Sequence, residues 1–72
     1  MKITLARAYD LDGLYIDGLL KKQATVIDID DVLIIAGREP FTLEKKYLNE
    51  DWLHHVGWEL PTFEVDLVEL DS

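Results

Sequence analysis

No cysteine occurs among the 72 residues of this chain, so the fold has to hold without disulfides or thiolate metal sites. A single domain of this size buries roughly 60% of the surface its unfolded chain exposes. Any further stabilisation has to come from a second copy of the chain or from a partner. The material for a core is present: 49% of the residues are hydrophobic, with two Trp and three Tyr, which argues against disorder. We expect one compact domain over residues 1–72.

Turn-forming residues divide the chain into short segments. Lys2 to Tyr9 alternates, with Ile3, Leu5 and Arg7 on one side and Thr4, Ala6 and Ala8 on the other, as a strand's two-residue period requires. Asp10-Leu11-Asp12-Gly13 collects turn formers, and Asp17-Gly18 suits a two-residue hairpin turn because both positions tolerate positive φ. A hairpin is expected from about Leu14 to Thr25, and Lys21 and Lys22 imply that its return arm meets solvent on at least one side.

Asp28 reads as a helix N-cap, with Asp31 three residues on as a capping box and Ile27 and Val32 as a hydrophobic staple. The helix should run to Ala36 and stop at Gly37. Its second half is apolar nearly all round, which implies packing on a sheet and cover from a further surface. After Pro40, the alternation of Phe41, Leu43, Lys45 and Tyr47 indicates a strand whose lysines guard an edge. Asn49 repeats the capping logic, with Leu48 and Leu53 as its staple, for a short helix from Glu50 to about Val56. Beyond Leu60-Pro61, Phe63, Val65 and Leu67 alternate with Glu64, Asp66 and Val68, predicting a last strand. The expected fold class is α+β: a small antiparallel sheet of four or five strands with two short helices packed on one face.

Charge is distributed unevenly. No Lys or Arg follows Lys46, whereas Glu50, Asp51, Glu59, Glu64, Asp66, Glu69 and Asp71 do, within a formal net charge of −8. Such a surface repels nucleic acid and anionic membranes and favours a basic protein surface. Arg7, Asp10 and Asp12 precede any apolar stretch of signal-peptide length, and the run Val32 to Ala36 is far below the ~20 residues that cross a bilayer. The expected compartment is the cytoplasm.

The strand-turn Gly13-Leu14-Tyr15-Ile16-Asp17-Gly18-Leu19 resembles a motif of small bacteriophage and prophage proteins. In those proteins a short helix follows, matched by Ile27-Asp28-Ile29-Asp30-Asp31-Val32-Leu33. Next come a strand and a Trp-containing helix, matched by Asn49-Glu50-Asp51-Trp52-Leu53, and then a Leu-Pro, matched by Leu60-Pro61. The resemblance spans residues 11 to 62. It implies a phage or prophage source and a place inside a bacterial host cell, with no activity to carry over. This chain departs from the pattern at Ala24 and Thr25, where a His is common.

Chemistry-bearing groups are few. His54 and His55 are the only histidines, and as neighbours on a helix they point about 100° apart, unsuited to sharing a metal. One of them is expected against the sheet. Asp10-Leu11-Asp12-Gly13 and Asp28-Ile29-Asp30-Asp31 begin like calcium loops but lack the twelve-residue spacing ending in Glu. Ser72 is the only serine, and no phosphate-binding glycine loop occurs. No enzyme activity, cofactor or metal is expected. Trp52 reads as core, while Trp58 and Tyr15 are aromatic anchors of the kind that dominate interfaces.

These features point to a small acidic protein-binding module, a phage-encoded modulator or inhibitor of a host protein with a basic surface. Glu59, Glu64, Asp66, Glu69 and Asp71, with Trp58 and Tyr15, are the candidate partner-binding residues. In its sharper form the acidic face imitates nucleic acid, and an antitoxin-like partner of a basic toxin is a related reading. The alternative is a homo-oligomeric structural or accessory phage protein, such as a homodimer joined through an edge strand or the Tyr15 and Trp58 surface. The plainest rival is that the acids serve only solubility.

Overall fold

The computed structural model describes residues 1–70. A four-stranded sheet in the order β3-β2-β1-β4 is built from β1 (Lys2–Arg7), β2 (Asp12–Ile16), β3 (Leu19–Ala24) and β4 (Thr42–Tyr47). Two short helices, α1 (Ile29–Ala36) and α2 (Glu50–His55), complete a small α+β fold. Asp17 (φ 50°) and Gly18 (φ 87°) make the hairpin turn between β2 and β3, both left-handed as a type I′ turn requires. β3 carries a bulge at Lys21, since Leu14 pairs with Lys22 while Tyr15 pairs with Leu20.

Two features of the sheet differ from the expectation. β4 runs parallel to β1, from Lys2 opposite Thr42 to Arg7 opposite Tyr47, so the sheet is mixed rather than antiparallel. The helices also lie on opposite faces. Ile3, Leu5 and Leu14 pack with Val32 and Ala36 of α1, whereas Ala6 and Tyr15 pack with Leu53 of α2. Connectivity explains both. β3 and β4 occupy the two edges and point the same way, so the connection between them has to cross the sheet, and α1 does so over one face. α2 and the chain after it return over the other. The central strand β1 is therefore buried on both sides, with Ile3, Thr4, Leu5 and Ala6 all within 3% of full burial.

Helix starts follow the local chemistry. The Asp28 carboxylate accepts from Asp31 N–H at 3.1 Å while Asp31 accepts from Asp28 N–H at 3.3 Å. Ile27 and Val32 close the staple inside the α1-side core. Lys22 lies 3.2 Å from Asp31 and ties β3 to α1. That lysine, with the Asp28 amide, holds the Asp31 carboxyl below its ordinary value. At α2 the Asn49 side chain accepts from Trp52 N–H at 3.0 Å, and Leu48 and Leu53 pack together in the second core. α2 ends in a Schellman-type turn in which Trp58 N–H reaches Leu53 O at 2.9 Å. Gly57 (φ 73°) and Trp58 (φ 62°) are both left-handed there.

The last segment is not a strand. Residues 61–70 form a strap that crosses the α2-side face from one edge of the sheet to the other. It is held at β3 by Leu20 N–H to Thr62 O (2.9 Å) and at the hairpin turn by Glu64 N–H to Gly18 O (2.8 Å). At the end of β4 it is held by Asn49 N–H to Val68 O (2.9 Å) and Leu70 N–H to Tyr47 O (2.6 Å). Between these ends the backbone tightens into a 3-10 turn at Glu64–Asp66. A chain crossing strands cannot pair along one, which is why the alternating pattern of residues 63–68 does not become a fifth strand.

Candidate functional site

The strap has the opposite phase from the one its pattern suggests. Glu64 is the buried residue, 7% exposed, whereas Phe63 is 54% and Val65 89% exposed. What draws the carboxylate inward is the row of even-numbered side chains beneath it. The Thr4 hydroxyl donates to Glu64 Oε1 at 2.7 Å, and the ammonium groups of Lys46 and Lys2 reach Oε2 at 3.1 Å and 3.3 Å. Burial works against the charged form, but these three donors outweigh it and keep the Glu64 carboxyl below its ordinary value. Glu44 shares Lys2 at 3.6 Å. The Lys2 ammonium is in turn raised, chiefly by its hydrogen bond to Glu64.

Tyr15 completes the anchorage. Its ring is fully buried and its hydroxyl donates to Pro61 O at 2.6 Å. Burial, reinforced by the charges of Glu64 and Asp66, pushes the phenol up to about 12. Gly13 makes room for the same loop, since a Cβ there would overlap Leu60 Cδ1 and push that side-chain tip aside. The Gly13–Gly18 motif is thus built for the fold. Gly13 admits Leu60, Leu14 fills the α1-side core with Ile16 against it, Tyr15 fills the other core, and Asp17-Gly18 turns the hairpin.

The expected docking residues therefore separate. Tyr15 and Glu64 are interior groups fastening the strap, a correction to their reading as exposed contacts. The Pro61 carbonyl claims the Tyr15 hydroxyl, and Thr4, Lys46 and Lys2 claim the Glu64 carboxylate. Glu59, Asp66 and Glu69 are exposed. Trp58 is half-buried against the second core and meets the His54 ring edge-on, with centroids 4.7 Å apart. Both histidines are exposed, so neither lies against the sheet. Asp71 falls outside the described residues. Sequence reasoning missed Phe63, Val65, Val68 and Leu70, which the strap displays beside Asp66 and Glu69. No local signal marks them, because the phase of the strap is set by Lys2, Thr4 and Lys46, far away along the chain.

On the opposite face, α1 covers only part of the sheet. Asp12, 4% exposed, accepts from Ile27 N–H at 2.8 Å and lies 3.6 Å from Arg7 Nε, while Arg7 donates to Ile27 O at 3.2 Å. This clip leaves Arg7 between two hollows of about 450 Å³ and about 230 Å³. Ile29, Leu33 and Ile34 of α1 remain exposed, so among the described residues nothing supplies the cover expected for that helix.

No group of three or more His, Asp or Glu side chains placed to hold a metal occurs among the described residues. No described helix is long and apolar enough to cross a membrane. Comparison with family models, with curated proteins and with solved structures finds no match to this chain.

Proposed function

We propose that this chain is a small protein-binding module of a bacteriophage or prophage, acting in the host cell as a modulator of a host protein that presents a basic surface. The observation that carries the reading is the inverted strap: Glu64 turned in, Phe63 and Val65 turned out beside Asp66. A face serving solubility alone gains nothing from exposing large apolar side chains. An apolar centre edged by charge is instead the anatomy of a recognition surface. Glu59, Asp66 and Glu69 supply the acidic edge, and the net charge of −8 draws a cationic partner while repelling nucleic acid. No catalytic step belongs to this reading.

Affinity capture from bacterial lysate at low and high salt tests it. One stoichiometric partner is expected, retained at low salt and shed at high salt. A partner retained equally by an Asp66→Lys/Glu69→Lys variant would count against the acidic edge.

A further inference from the structure

The face of the sheet opposite the strap holds a groove along β4. Leu43, Lys45 and Tyr47, the odd-numbered residues of that strand, form one wall, and all three are exposed. Facing them across the smaller hollow are Leu5, Ile27, Ile29 and Val32. The larger hollow joins it at Arg7 and is lined by Tyr9, Val26, Tyr47 and Leu70, together with Asp12 and Glu50. Leu33, one helical turn beyond Ile29, extends the apolar wall. Along the six residues of β4 the groove is about 17 Å long, room for a short extended segment.

Charge decides what fits. Asp12 is already answered by Arg7 and Glu50 lines only the larger hollow, so the charge left to the smaller hollow is Lys45, which makes no ion pair among the described residues. In a protein of net charge −8 this is a local exception. It suits a segment that brings apolar side chains together with an acid. The chain displays such a segment on its other face: Phe63, Val65 and Asp66 of the strap.

We infer that the groove along β4 receives the strap of a second copy of this chain, with Phe63 and Val65 entering the apolar hollows and Asp66 meeting Lys45. Phe63, Val65 and Asp66 lie on the α2-side face and the wall of Leu43, Lys45 and Tyr47 on the other, with only Leu70 at the end of the strap reaching the larger hollow, so the contact is heterologous. Each added copy leaves one strap and one groove open, and assembly proceeds head to tail into a ring or filament instead of closing as a two-fold dimer. The inference rests on the reading of the strap as a recognition surface, and it adds that self-association and partner binding compete for the strap.

Sedimentation velocity over a range of concentrations tests this. The mass should rise past that of a dimer with concentration. Lys45→Glu or Asp66→Lys alone should weaken association about tenfold, and the two together should restore it. A monomer at every concentration, a species that stops at a dimer, or a double variant no better than the single ones would each overturn the inference. The two readings fail separately. If the wild type is monomeric yet captures a host protein through Asp66, the groove assignment falls and the partner reading stands. If Lys45→Glu abolishes self-association and no partner is ever captured, the reverse holds.

Discussion

The Thr4 hydroxyl and Glu64 Oε1, sixty residues apart in sequence, are joined by a 2.7 Å hydrogen bond in the interior of the protein. Around it Lys46 and Lys2 neutralise the same carboxylate, so a single side chain fastens the strap to both β1 and β4.

Glu64→Gln should therefore destabilise the fold by about 1.5–3 kcal/mol, the range for hydrogen bonds to charged groups, with the half-exposed Lys2 contributing least because water screens it. Urea unfolding measures this. Because the folded-state value of Glu64 lies below its ordinary 4.5, its contribution is complete above that pH and is lost as the pH falls through the folded value. Acid unfolding of the Gln variant should lack that component. An unchanged acid profile would show that Glu64 is not the anchor.

Tyr15→Phe removes the hydrogen bond to Pro61 O and should cost about 1 kcal/mol. The phenol is raised from 10.0 to about 12 on folding, so it stabilises the protein fully below pH 10 and loses that contribution as the pH rises towards 12. Thermal melts between these values should show a decline in the wild type that is smaller in the Phe variant.

Gly13→Ala should cost about 1 kcal/mol, the low end for overpacking, since the new methyl meets only the tip of the Leu60 side chain, which has to shift. Shortening the obstacle with Leu60→Ala should make the pair less than additive in a double-mutant cycle. Strict additivity would place the cost elsewhere than at this contact.

Asn49→Ala should weaken the fold by about 1 kcal/mol through loss of the α2 cap, read by the same urea titration.

The parts of the fold legible from sequence are those decided by near neighbours. Asp28 with Asp31, Asn49 with Trp52, and Asp17-Gly18 act within three residues, and the elements they bound appear within one to two residues of the expected positions. The parts not legible depend on distant choices. The parallel pairing of β1 with β4, and with it the split of α1 and α2 between faces, follows from which edges the chain occupies. The strap shows the same limit at the site. The alternation of Phe63, Glu64 and Val65 is visible in the sequence, but its phase is set by Lys2, Thr4 and Lys46, which lie far away along the chain. Asp66, Glu69 and Glu59 are recognisable as surface acids from charge alone, whereas the apolar residues displayed between them read as core.

Capture from bacterial lysate at low salt with three baits side by side probes the strap most directly: wild type, Asp66→Lys/Val65→Asp in the strap, and Lys45→Glu in the groove. One stoichiometric basic partner is expected on the wild-type and Lys45→Glu baits, shed at high salt, and none on the strap variant. The same partner on all three baits, or on none, would contradict the strap as the recognition surface.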